Sequence, residues 1–96
     1  MRHAAKRDGN ERGIVLALEL AGWSVWKMSQ PGFPDLLCVR RGEVVLIEVK
    51  EVGKRDHLTE KQAEVFPKLA IAGRAPVVVT TPAEALAAVG VTREAA

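Results

Sequence analysis

Two apolar runs, residues 35–40 and 43–50, flank the pair Arg41-Gly42, and that arrangement leaves the chain few options. Both runs are rich in Val, Leu and Ile, and glycine beside the turn supplies the positive φ that a two-residue loop needs, so the spacing predicts a β-hairpin. Apolar residues occupy alternate and intervening positions alike, which predicts central strands covered on both faces. The rest of the chain must supply the covers. At 96 residues there is length for one core and not for two, so residues 1–96 are expected to form a single domain.

The flanking segments read as helices and further strands. Asn10 stands where a helix N-cap belongs, Ile14, Ala17, Leu18 and Ala21 follow at the helical period, and Gly22 offers a left-handed stop. Residues 23–28 are rich in strand formers, and residues 29–34, with two prolines and a glycine, make a loop. Thr59-Glu60-Lys61-Gln62 fits a capping box opening a helix that turns Phe66, Leu69 and Ala70 inward and ends near Gly73. Pro67 comes too late for the first turn, which predicts a kink or a local break. Residues 76–80 form a strand. Thr81-Pro82-Ala83-Glu84 is a second capping box, starting a short helix to Val89, and residues 92–96 read as a frayed end. The expected class is α/β, a mixed central sheet with element order α-β-β-β-α-β-α.

Composition removes several functions. Fourteen Lys and Arg against twelve Asp and Glu give a net charge of +2, which permits a polyanionic partner without demanding one. No stretch of about 18 apolar residues lacks a charge, and no apolar run precedes Ile14. Neither a membrane span nor a secretory signal is therefore expected, and the location expected is cytoplasmic. Cys38 alone cannot make a disulfide framework or a CxxC zinc site, and His3 and His57 cannot furnish a histidine cluster. Any metal must rest mainly on oxygen ligands.

Polar residues interrupt the hydrophobic code at a few positions. A turn centred on Arg41-Gly42 pairs Arg40 with Glu43, Leu37 with Leu46, and Asp35 with Glu48, whereas a three-residue loop would shift the register by one. In the first register two carboxylates become cross-strand neighbours, and Lys50 shares their face because side chains alternate with period two. Such a cluster suits magnesium or manganese; the alternative is a salt-bridged strand end. Glu11 lies on the apolar stripe of its helix, as a third carboxylate or as a first-turn acid offsetting the helix dipole. Gln62 faces inward, although closing the capping box is an alternative role. Cys38 reads as a small core residue. His57 is a loop residue, with substrate contact as the rarer alternative, and Trp23 and Trp26 read as packing residues, with base stacking as the alternative. Arg12, Lys27, Arg40, Arg41, Lys54 and Arg55, with Arg2, Lys6 and Arg7, form either a phosphate-contacting rim or an ordinary soluble surface.

Taken together, Glu11, Gly32-Phe33-Pro34-Asp35, Ile47-Glu48-Val49-Lys50 and Leu58-Thr59-Glu60-Lys61-Gln62 give the chain a resemblance to a known family. Over about residues 10–90 it resembles the VRR-NUC (virus-type replication-repair nuclease) branch of the PD-(D/E)xK nuclease superfamily, related to Holliday junction resolvases. The resemblance implies a restriction-endonuclease-like core and a Mg²⁺- or Mn²⁺-dependent endodeoxyribonuclease. It implies Asp35 and Glu48 as metal ligands with the Val49 carbonyl and, through water, Glu11. Lys50 would activate the attacking water and stabilise developing charge, and Gln62 would position substrate or Lys50. It further implies branched or four-way-junction DNA as substrate, a homodimer, and a bacterial or phage-infected cell. Two rival readings are a non-catalytic DNA-binding or replication-associated subunit and a nicking or restriction-type nuclease.

Overall fold

The computed structural model describes residues 9–91. Arg2, Lys6 and Arg7 of the expected basic rim, and the expected frayed tail at 92–96, therefore lie outside the described residues. The chain runs α1 (Glu11–Leu20), β1 (Ser24–Lys27), β2 (Leu36–Arg40), β3 (Glu43–Val49), α2 (Glu60–Ile71), β4 (Val77–Val79) and α3 (Pro82–Ala88). The four strands form one mixed sheet in the order β1-β2-β3-β4, antiparallel except between β3 and β4. It is a small α/β fold. Among the described residues no helix is long and apolar enough to cross a membrane.

The hairpin takes the two-residue register, with Arg40 opposite Glu43 and Leu37 opposite Leu46. Its turn places both Arg41 (φ 50°) and Gly42 (φ 84°) in the left-handed region, as a type I′ turn requires. Gly22, at φ 94°, ends α1, and the Trp23 amide reaches back to the Leu18 carbonyl at 3.1 Å.

Only one face of the sheet is closed. Leu36, Cys38, Ile47, Val49 and Val79 pack there with Ile14 and Leu18 of α1, Ala85 of α3, and Trp23. Period two puts Leu37, Val39, Val44, Leu46 and Glu48 on the other face, where Leu37, Val39 and Val44 are only half-buried. The expectation of cover on both faces therefore holds in part: Leu46 and Glu48 are buried on the second face, and the remainder of it is not. Helices α1 and α3 pack against each other and the sheet, which leaves α2 alone for the second face. It touches the fold along a narrow line, with Gln62 and Phe66 buried and Val65 and Leu69 half-buried. Ala70, expected inside, is exposed. Nor is there a break at Pro67: the helix continues through it, because Pro67 and Ala63 are both exposed and water can satisfy the carbonyl that proline leaves without a donor.

Two helix starts differ from expectation. Asn10 has helical backbone angles (φ −84°, ψ −7°) and makes no side-chain cap. Its Nδ2 instead donates to the carbonyls of Lys50 at 2.9 Å and Thr80 at 2.7 Å, pinning the start of α1 to the ends of β3 and β4. At α3, Thr81 accepts from the Glu84 amide, but Glu84 reaches one residue further back than a capping box would. Its Oε1 accepts from the Thr80 amide at 2.7 Å and the Thr80 hydroxyl at 3.1 Å. At α2 the box is complete.

The loop before β2 is seated by contact as well as by its prolines. Gly32 has φ 83°, and a Cβ there would lie 2.6 Å from Lys61 Cγ, 2.9 Å from Val65 Cγ2 and 3.1 Å from the Lys61 carbonyl. Pro34 beyond it is fully buried. Gly32→Ala is expected to cost about 2 kcal/mol or more, from the positive φ and the enforced separation of loop and α2, measured by urea denaturation. A second expectation concerns pH. The Thr80 amide and the Arg55 guanidinium hold the Glu84 carboxyl below the usual glutamate range. A depressed folded-state pKa stabilises the fold above the unfolded value and ceases to do so as pH falls through the folded one. Glu84→Gln should therefore lower stability by about 0.5 kcal/mol at neutral pH, discounted for an exposed pair. That difference from the parent should shrink as pH falls below the reference carboxylate value.

Candidate active site

The sheet face away from the core ends in a polar cluster built by the hairpin. Asp35 lies one residue before β2, where Met28 still donates its amide to the Asp35 carbonyl at 2.8 Å. Glu48 is in the last turn of the β3 pleat, 2% exposed. The two acids interlock across the strands: the Asp35 amide donates to Glu48 Oε1 at 3.2 Å, and the Val49 amide donates to Asp35 Oδ2 at 2.8 Å. Backbone dipoles thus hold two like charges together.

Proline leaves one acceptor of the ladder without a donor here. Continuing the hairpin register past Leu36 sets Pro34 opposite Val49, and proline has no N–H to give. The Val49 amide is taken by Asp35, and no ladder donor from Pro34 reaches the Val49 carbonyl.

Lys50 and Gln62 complete the cluster from two sides. Gln62 Nε2 donates to Glu48 Oε2 at 2.7 Å, the Lys50 ammonium lies 3.3 Å from the same oxygen, and it donates to Gln62 Oε1 at 3.2 Å. Gln62 Oε1 also accepts from the Thr59 amide at 3.0 Å, so the capping box fixes which way the amide points. Both roles considered for Gln62 are filled by one side chain. Burial pushes the Glu48 carboxyl above the usual glutamate range and the Asp35 charge adds to the effect, while Gln62 and Lys50 pull against it.

These groups line an open cleft of about 480 Å³, together with Glu11, Met28, Phe33, Val49, Thr59 and Lys61. Glu11 is 4% exposed and enters from the first turn of α1, which Asn10 ties to Lys50. Among the described residues no three carboxylate, imidazole or thiolate side chains form a group able to hold a metal ion by themselves. The oxygen donors that the hairpin brings together here are the two carboxylates of Asp35 and Glu48. That suits a small hard cation, which keeps several waters and takes one or two carboxylates.

The other candidates are dispersed. None of Arg12, Lys27, Arg40, Arg41, Lys54 and Arg55 lines the cleft. Arg40 lies over Gly22 at the end of α1, Lys54 is 3.4 Å from Glu51, and Arg55 bonds Glu84 at 2.6 Å and the Val78 carbonyl at 2.9 Å. Arg55 thereby covers part of the β4 edge. His57 is exposed in its loop. Cys38 is wholly buried, and burial pushes its thiol up to about 11, as expected of a core residue. Trp23 is buried and Trp26 exposed. Sequence reasoning missed Asn10 as a tie and Lys61 as a cleft residue. Lys61 precedes Gln62 in the capping box, a signal that was present; Asn10 carried none, because its partners are distant backbone carbonyls.

No protein-family model matches the chain, and no curated protein matches it at a significant level.

The strain between the acids has a measurable consequence. A carboxyl whose folded-state pKa is raised weakens the fold as pH rises from its unfolded value through the folded one. Asp35→Asn keeps an acceptor for the Val49 amide and removes one of the two charges. It should raise the metal-free melting temperature by several degrees, equivalent to about 0.5–1 kcal/mol, with the gain fading in acid. A fall at neutral pH would show that the acids are not in conflict.

Proposed function

We propose that the protein is a metal-dependent endodeoxyribonuclease that hydrolyses phosphodiester bonds in branched DNA, acting as a homodimer, with the chemistry expected of the VRR-NUC branch of the PD-(D/E)xK nucleases. One observation carries this reading: the Asp35 and Glu48 carboxylates share one end of a hairpin with the Lys50 ammonium 3.3 Å from Glu48, all lining an open cleft. A salt bridge alone would need one acid. Here a second acid is held beside the first by backbone amides, at an energetic cost that a cation would offset.

Asp35, Glu48 and the Val49 carbonyl would hold magnesium or manganese, with Glu11 contributing through water. The chemistry a bound divalent ion supplies is polarisation of the phosphate and acidification of a water. Lys50 holds a positive charge beside the acids, where it orients the attacking water and stabilises the charge that grows on the phosphoryl oxygens. Gln62 keeps that ammonium in place through its own anchored amide. In the overall reaction the water oxygen forms a new P–O bond, the bond to the leaving oxygen breaks, and that oxygen takes a proton. Two symmetric cuts across a junction need two such sites, which is the reason for a dimer.

The test is cleavage of a labelled four-way junction and a matched linear duplex with Mg²⁺, Mn²⁺ or EDTA. Junction cutting with metal and none in EDTA is expected, falling about 100-fold or more in Asp35→Ala and Lys50→Ala. Cutting that survives either substitution would overturn the assigned site, and binding without cutting in any metal would point to a non-catalytic DNA-binding subunit.

A further inference from the structure

The chain has four aromatic residues, Trp23, Trp26, Phe33 and Phe66. Trp23 is 3% exposed and Phe66 9%, and Phe33 is half-buried in the cleft wall, whereas Trp26 is 59% exposed. An indole left in water forgoes the largest burial any side chain offers. Its location is specific. Trp26 stands opposite Leu37, and period two places Leu37 on the face of Asp35, so the indole lies on the sheet face that carries the acids. Met28, which lines the cleft, is two residues further along the same chain, about 7 Å at strand rise.

We propose that Trp26 is a stacking platform for an unpaired base next to the scissile phosphate. The inference rests on the nuclease reading and adds that a base left unpaired at or near a branch is held beside the site. A flat π-face accepts any base, so Trp26 selects for unpairing and not for sequence. A protein partner on this face is less well matched. Leu37, Val39 and Val44 beside Trp26 are already half-buried, and one protruding ring suits one base better than a broad interface. A base paired within intact duplex cannot offer its face, so blunt duplex should ignore Trp26.

The test is binding by the full chain in EDTA, so that cutting plays no part, to a fluorescein-labelled single-stranded oligonucleotide and to blunt duplex. Trp26→Ala should weaken single-strand binding about 10-fold or more, and Trp26→Phe less than about threefold, because a phenyl ring still stacks. Duplex binding should be unchanged in both, and the quenching of indole fluorescence by single strand should disappear in Trp26→Ala. Single-strand affinity unchanged in Trp26→Ala, or equal losses on both DNAs, would overturn the proposal. So would a Trp26→Ala protein whose main defect in sedimentation is loss of a dimer without DNA, since the face would then be covered by a second copy. The two readings fail separately. Base stacking without cleavage in any metal removes the nuclease and keeps the platform, whereas metal-dependent cleavage with Trp26 indifferent does the reverse.

Discussion

The cross-strand exchange between Asp35 and Glu48 is the interaction on which the site depends. Each carboxylate accepts a backbone N–H from the opposite strand, and those amide dipoles are what permit a buried acid, Glu48, to sit beside a half-buried one, Asp35. The exchange stands where the ladder ends, beyond Leu36. Pro34 has no N–H to give the Val49 carbonyl, and the Val49 amide donates to the Asp35 side chain and not to a strand partner.

Everything around the pair keeps it in position. Gly32 lets the preceding loop press against α2, the buried ring of Pro34 anchors the loop's other end, and Gln62 spans from the helix cap to Glu48 and Lys50. Asn10 brings the first turn of α1, and Glu11 with it, to the end of β3. Loop, strand and two helices therefore meet at one end of the sheet. The same economy leaves the second face open beyond that end, because α1 and α3 are both committed to the core side.

Much of this was legible before any coordinates. The Arg41-Gly42 turn and period-two alternation put Asp35 opposite Glu48 and Lys50 on their face, since a strand register is one integer and a tight turn fixes it. The capping box at Thr59 aimed Gln62 correctly, because its atoms lie within three residues of one another. Misreadings occurred where long-range contacts decided the outcome. Asn10 looked like a cap, yet its partners lie 40 and 70 residues away. The inward face of α2 was drawn too wide, because periodicity shows which side is apolar and not how much of it finds a neighbour. Arg55, open in the sequence as a phosphate contact or as ordinary surface, bonds Glu84 and the Val78 carbonyl at the β4 edge, partners that no local pattern indicates.

Local chemistry in the sequence thus determined the helices, the turns, the hairpin register and the pairing of acids with an amine, all of which depend on residues near one another along the chain or related by a single tight turn. Which sheet face would be closed, which arginines would be spent on internal contacts and which tryptophan would face water were decided only when distant segments packed. Those outcomes follow from competition among elements for a limited buried surface, and no local pattern records who wins it.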